Sequence, residues 1–270
     1  MTTDRWLVAL DIDGTLLTHR GVIEQGVIDA VTRVKNAGHE VMLATGRAMA
    51  ETIEVLEALD IWPEFIVCSN GAVVWKRDPL AEIGYSQDFV KTFSPESALT
   101  TIKPFLPEGK YAIEDANGDF YFTEPFPGMQ SLYESHQVSF DELLHIQATR
   151  VVVISPAHDT DEFLAAVEKM GLNRVTYAIG LTAWLDIAPE GINKATGLER
   201  VREALDIPRS NLFAIGDGRN DIDMLRWASQ LGRGVAMGDA PDEVLAAANE
   251  VTAPASELGA IAPLLAIPGV

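Results

Sequence analysis

The sequence predicts an α/β fold: a parallel sheet with helices on both faces, interrupted by an inserted α+β module. Three observations predict it. Short apolar runs alternate with helix-period segments in the first third of the chain, and the same alternation returns in the last third. The stretch between them carries hairpin and capping signals instead. The expected division is 1–83 for the first part of the core, 84–187 for the inserted module, and 188–270 for the second part of the core.

The elements follow in order. Residues 6–12 (WLVALDI) read as a buried strand. Residues 24–37 place Val27, Ile28, Val31 and Val34 on one helical face, and Gly38 ends the helix. A second strand at 41–44, a helix at 49–59 and a third strand at 65–68 complete two βαβ units, with a further short strand at 72–75. In the middle, 111–113 and 120–122 flank Asn117-Gly118, a hairpin turn pair. Ser139 and Glu142 form a capping-box pattern, and a strand at 149–154, a helix at 161–170 and a strand at 175–179 follow. The last third reads as a helix at 193–205, a strand at 211–215, a helix at 221–228 and a short strand at 234–237.

Composition narrows the function. The chain has 270 residues, 47% hydrophobic and 22% charged, an ordinary globular balance. Its formal charge of −20 repels polyanions, so neither nucleic acid nor an anionic membrane surface is the expected partner. No apolar run is long enough to span a bilayer, and 1–6 (MTTDRW) lacks signal-peptide character. The single cysteine, Cys68, sits in an apolar run and reads as core. A cytoplasmic protein is expected; the sequence leaves its oligomeric state open.

Chemistry-bearing residues gather at strand ends. Asp11 and Asp13 close the first strand, spaced i and i+2 so that both carboxylates face one space, with Gly14 allowing a sharp exit. Asp217 and Asp221, in GDGRND, follow the 211–215 strand. Together with Asp11 they make three carboxylates, a hard oxygen site suited to Mg2+. Thr45, Gly46 and Arg47 stand at a helix start, where a hydroxyl and free backbone N–H groups can hold phosphate. Ser69-Asn70-Gly71 follows the third strand, and Lys194 opens a helix, an unfavourable place for a cation unless it serves an anion. Each signal alone also admits a plain structural reading: an acidic turn, an N-cap, a solvated lysine. Jointly they put acids, a hydroxyl, an amide and a lysine at one sheet edge, where open α/β sheets bind ligands.

DIDGT, TGR, SNGA, the PEGINK lysine and GDGRND, in that order, resemble the haloacid dehalogenase-like hydrolases, and most of all the Cof-type phosphatases with a large cap between their second and third motifs. The likeness covers about 6–75 and 187–251, including GVAMGDA. Ser69 and Asp239 depart from the ENGA and GVAMGNA common there, and 227–231 (WASQL) replaces a short Ala-Gly link. The resemblance implies a Rossmann-like core and a cap that closes over the site. It implies Asp11 as nucleophile forming an aspartyl-phosphate, and Asp13 as the acid that protonates the leaving alkoxide and later activates water. Thr45 and Lys194 would hold the transferring phosphoryl group. Mg2+ would be bound by Asp11, the Asp13 main-chain carbonyl and Asp217, with Asp221 binding it or orienting its waters. Asn70, Asn220 and Arg47 would touch phosphate, the leaving group or the groups that orient them.

The expected activity is Mg2+-dependent hydrolysis of small phosphorylated metabolites, sugar phosphates first. Asp13 favours phosphatases and phosphomutases over dehalogenases, which protonate no alkoxide. A phosphomannomutase-like enzyme would use the same pair and anchor a second phosphate on cap cations such as Lys91, Lys103, Lys110, Arg150, Lys169 or Arg174, although most of these read as surface charges. A non-catalytic ligand sensor would often have lost Asp11 or Lys194. Dinucleotide binding lacks the G-x-G-x-x-G spacing, and there is no G-x-S-x-G of a serine hydrolase. A zinc site lacks ligand spacing among His19, His39, His136, His145 and His158, which read as surface or capping histidines.

Overall fold

The computed structural model of the chain describes residues 5–18, 21–125, 134–156, 159–170, 175–179 and 184–270. Strand β1 (Leu7–Leu10) is wholly buried. Helix α1 (Gln25–Asn36) turns Val27, Ala30, Val31 and Val34 inward and ends before Gly38. β2 (Glu40–Leu43), α2 (Met49–Leu59) and β3 (Phe65–Cys68) follow where periodicity predicts them. β4 (Val73–Arg77) runs antiparallel to β3, and β5 (Tyr85–Val90) antiparallel to β4. The sequence shows no strand at 85–90. The segment buries one residue, exposes three and half-buries two, so no two-residue period marks it. Its pairing places these residues on the sheet of β3 and β4, although they fall within the expected 84–187 segment.

The middle segment contains α3 (Glu96–Ile102), β6 (Lys110–Asp115), β7 (Phe120–Phe122), β8 (Ser135–Gln137), α4 (Phe140–Leu143), β9 (Ala148–Ile154), α5 (Thr160–Met170), β10 (Val175–Ile179) and β11 (Trp184–Pro189). The Asn117-Gly118 turn joins β6 to β7, with Asp115 Oδ1 accepting from the N–H groups of Asn117 and Asp119. Ser139 and Glu142 make the predicted capping box. The six strands form one mixed sheet in the order β10-β11-β9-β6-β7-β8. Alternation splits its faces. Tyr111, Ile113, Val151, Val153, Leu185 and Ile187 pack with Leu99, Ile102, Phe163 and Val167 of α3 and α5. The opposite face offers Ala112, Phe120 and Val152, which pack against Ala48 at the start of α2. At roughly 1.5–3 kcal/mol per fully buried large apolar side chain, the first face supplies most of this module's cohesion.

The chain then returns to α6 (Lys194–Ala204), β12 (Leu212–Gly216), α7 (Ile222–Ser229), β13 (Arg233–Ala236), α8 (Asp242–Leu245), β14 (Glu250–Val251) and α9 (Ile261–Leu265). The core sheet is parallel throughout, in the order β14-β13-β12-β1-β2. Strand alternation again builds two layers. Val8, Leu10, Val41, Leu43, Phe213 and Ile215 face the layer of α1, α2 and α9. Leu7, Ala9, Met42 and Ala214 face α6 and α7. A parallel bridge between Ala44 and Val67 carries β3 alongside the end of β2. Every loop leaving the carboxyl ends of β1, β2, β3 and β12 therefore emerges at one edge. Among the described residues no helix is long and apolar enough to cross a membrane.

Candidate active site

Asp11 continues β1 by one ladder bond, its N–H donating to the Ile215 carbonyl. It is almost fully buried. Gly14 follows at φ +78°, and a Cβ there would stand 2.1 Å from Asp217 Oδ2. Both facts require glycine: the backbone is left-handed and Asp217 occupies the side-chain space. Thr15 Oγ1 donates to Asp217 Oδ1 at 3.1 Å. Sequence reading missed Thr15, although it completes the DIDGT motif.

Asp217 follows β12, and the chain turns at once through a 3-10 turn, Arg219–Asp221. The Asp221 side chain folds back so that Oδ2 accepts from the N–H groups of Asp217 and Gly218 at 3.1 and 2.9 Å. Its other oxygen accepts from Lys194 Nζ at 2.6 Å, and the same ammonium reaches Asp11 Oδ1 at 2.6 Å. Lys194 is the first residue of α6 and has no solvent exposure. Asn193 caps the helix, accepting from the Thr196 N–H, and its amide also donates to Asp223 of α7. Gly71, at φ +95°, lets the 69–71 turn pass under this cap, where a Cβ would lie 2.1 Å from the Asn193 carbonyl oxygen.

Asp11, Asp217 and Asp221 bring carboxylate oxygens within 4.8 Å of one another, all three buried. Against one lysine this leaves a formal excess of two negative charges. Burial, then Asp221, push Asp11 well above the usual carboxylate range, with Lys194 opposing. Burial and Asp221 likewise lift Asp217 to about 7. Burial works against the Lys194 charge, yet Asp11 and Asp221 outweigh it and hold the ammonium above the ordinary lysine range. Buried hard oxygens short of positive charge fit a divalent cation such as Mg2+.

Asp13 stands outside that three-acid cluster, yet close enough for its charge to raise Asp11. Its carboxylate is 62% exposed and forms a bidentate pair with Arg47, at 2.6 Å to Nη2 and 2.8 Å to Nε. The chain leaves regular strand geometry after Leu10, so the two-residue period no longer applies. Asp13 adds no carboxylate to the three-acid cluster; the resemblance assigns it only a main-chain carbonyl there.

The predicted phosphate-holding residues do converge. Thr45 is buried, its N–H donating to Val67 O and its Oγ1 accepting from the Arg47 N–H. The 69–71 turn clasps this loop, with Ser69 N–H donating to Arg47 O and Asn70 N–H to Thr45 O. Asn220 Nδ2 donates to Asn70 Oδ1 at 3.0 Å, and Gly46 lies against the Asn70 amide.

Two expectations change. Arg150 is no surface charge: it is buried, with Nε donating to Asp186 Oδ1 at 2.7 Å. Its neighbours all come from distant elements, so β9's apolar pattern hid it. His39 is buried as well, accepting from the Trp6 N–H and meeting the Pro268 carbonyl, because β2 is flanked by the C-terminal segment. Among the described residues His136 and His145 join no cluster of candidate metal ligands, and Cys68 is a buried core thiol. His19, His158 and Arg174 lie outside the described residues.

A parallel α/β core, an inserted α+β module and a lysine-bridged acid cluster at the carboxyl edge define a class of hydrolytic enzyme. The haloacid dehalogenase-like hydrolase family model matches residues 8–265, and the chain belongs to that family. It is 26% identical over 273 residues to the 5-amino-6-(5-phospho-D-ribitylamino)uracil phosphatase YitU of Bacillus subtilis, with 96% of each chain covered. It is 29% identical over 259 residues to the pyridoxal phosphate phosphatase YbhA of Escherichia coli, covering 91% and 92%. Among solved structures, the subclass IIB sugar phosphatase BT4131 superposes with a TM-score of 0.80 over 98% of this chain and 100% of that one; at 21% identity this likeness concerns the fold.

Proposed function

We propose that the protein is a Mg2+-dependent phosphomonoesterase acting on small phosphorylated metabolites through an aspartyl-phosphate on Asp11. The observation that carries this reading is the Lys194 ammonium lodged between Asp11 and Asp221, with Asp217 beside them. A phosphate dianion approaches a carboxylate nucleophile only where positive charge offsets both.

Lys194 engages Asp11 Oδ1, which leaves Oδ2 to attack phosphorus in line with the departing oxygen. The P–O bond to the leaving group breaks as the Oδ2–P bond forms. Asp13, at the exposed side of the site, gives a proton to the leaving alkoxide in its acid form, with one oxygen released from the Arg47 pair to carry that proton. It then takes a proton from the water that hydrolyses the acyl phosphate, which restores Asp11. Lys194, the Thr45 hydroxyl and the backbone at 46–47 hold the phosphoryl oxygens, and Asn70 with Asn220 orients them. Arg47 holds Asp13 in place. When bound, Mg2+ would be held by Asp11, the Asp13 carbonyl, Asp217 and Asp221, and would supply charge neutralisation for the incoming dianion.

The inserted module, expected over 84–187, serves as the cap that excludes water and selects the leaving group. Because β5 pairs with β4, we read the module's entry as lying after 90. The named relatives act on phosphates of a ribitylamino-uracil and of pyridoxal, and the structural neighbour is a sugar phosphatase. Those phosphates bound the first substrate panel, with sugar phosphates still first. The phosphomutase reading weakens because three of the module's cations are engaged. Lys103 donates to Pro107 O and lies over Tyr111, Lys110 donates to Pro125 O, and Arg150 is held by carboxylates. The test is phosphate release from sugar phosphates, pyridoxal phosphate, phosphoglycolate and nucleotides. Release is expected with Mg2+, none with EDTA, and none from Asp11→Asn. Silence on every phosphoester would end the reading.

A further inference from the structure

We propose that Glu114 and Arg150 of the inserted module are positioning residues that set the two phosphate-holding loops of the core. The inference rests on the phosphatase reading above and names how that site is assembled.

Among the polar links that cross the seam between module and core, two meet the phosphate-holding loops. In the first, the Ser69 hydroxyl donates to Glu114 Oε2 at 2.7 Å, and both residues are buried. Ser69 opens the turn that carries Asn70, and both hold left-handed backbone, φ 50° and 52°. Such a turn in non-glycine residues is strained and persists only when its surroundings fix it. In the second link, Arg150 Nη1 lies 4.0 Å from Glu51 Oε2. That same Glu51 oxygen accepts from the Ala48 N–H at 3.2 Å, fixing the first turn of α2 directly after Arg47. Arg150 is anchored on its own side by Asp186.

The links converge on one assembly. Ser69 and Asn70 donate to the carbonyls of Arg47 and Thr45, so the loop held by Glu51 and the turn held by Glu114 are bonded to each other. Arg47 in turn holds Asp13, and Asn70 holds Asn220. On the far side of the site, β10 lies against Arg219–Asp221. The module therefore touches the loops after β2, β3 and β12.

Stability alone gives little reason for this chemistry. Ala48, Ala112, Phe120 and Val152 already make an apolar contact across the seam, and a buried ionic network is rarely more stabilising than such packing. Three carboxylates, Glu51, Glu114 and Asp186, surround one guanidinium. What such directional links supply is one fixed geometry: when the module lifts, both loops lose their upper partners, and when it seats, Thr45, Arg47 and Asn70 are set together. Seating of the module and assembly of the phosphate site are then one event.

The test uses the full chain with Mg2+ and p-nitrophenyl phosphate, whose small leaving group needs little from the cap. Glu114→Ala and Ser69→Ala are expected to lower kcat about 10- to 100-fold with KM changed less than about 3-fold. Glu114→Gln, whose amide oxygen still accepts from Ser69, should recover most of that loss. Amide hydrogen exchange gives a readout independent of turnover. In Glu114→Ala, exchange at 44–50 and 69–72 should rise about 10-fold while 212–216 stays protected. A lower melting temperature with kcat intact, or exchange that rises evenly across the chain or not at all, would overturn the inference. A wild type that releases no phosphate, yet shows the local exchange change, would sink the phosphatase reading and leave the positioning role standing.

Discussion

Lys194 and Asp11, 183 positions apart in sequence, meet at 2.6 Å in the buried floor of the site. The same ammonium holds Asp221, so one lysine carries the charge balance of the acid cluster. Lys194→Met leaves those carboxylates unpaired and removes the cation nearest the nucleophile. Turnover should fall at least about 10²-fold, and stability by roughly 3–5 kcal/mol. Lys194→Arg should not restore the rate, since a planar guanidinium does not fit a fully buried ammonium site. Initial rates and denaturant melts decide it; a Met variant with a third of wild-type turnover would remove Lys194 from the chemistry.

Gly14→Ala tests how closely Asp217 is held. Alanine at φ +78° costs about 1–2 kcal/mol in backbone alone, and its Cβ collides with the Asp217 carboxylate. The Mg2+ concentration for half-maximal activity should rise about 10- to 100-fold. Gly21→Ala is the control: its φ is +70°, but nothing lies within 4 Å of the added Cβ. It should melt lower with its Mg2+ requirement unchanged. Equal Mg2+ requirements in the two variants would contradict the geometry.

Metal binding should be visible without substrate. Three buried carboxylates repel one another, so Mg2+ at a hundredfold excess over its Kd should stabilise by about 2.7 kcal/mol. Asp217→Asn should raise the melting temperature of the metal-free protein and erase most of the Mg2+ effect. Thermal shift with and without EDTA measures both, and an unchanged Mg2+ response in Asp217→Asn would place the cation elsewhere.

Glu114 makes stability depend on pH. Burial lifts its carboxyl from 4.5 to about 7, against the pull of Arg150 and the Ser69 hydrogen bond, with Glu51 and Asp115 adding repulsion. The folded state therefore binds a proton that the unfolded state has lost between about pH 4.5 and 7. Its contribution is full below pH 4.5 and disappears as pH rises through 7, falling by about 1.4 kcal/mol for each pH step of one between those values. Glu114→Gln mimics the protonated group. The variant should gain melting temperature relative to wild type at pH 8 and show little difference at pH 5. A constant difference at both values would refute the assignment.

Much of the core was legible because its forces are local and periodic. β1, α2, β3 and the Asn117-Gly118 hairpin follow from apolar spacing and turn chemistry. β5 and the burial of Arg150 did not, because both depend on partners that no local window contains.

The sequence by itself determined which residues stand at the sheet's carboxyl edge, since strand ends are set by pattern and a parallel sheet aligns them. It also determined Gly14, Lys194 and the acids as chemical types. Only the tertiary structure decided their pairing. Lys194 went to Asp11 and Asp221, Asp13 paired with Arg47, and Glu114 reached across to Ser69. Pairing between distant side chains is fixed by the packing of whole layers and by the cost of burying charge alone, and neither is written in any short stretch of chain.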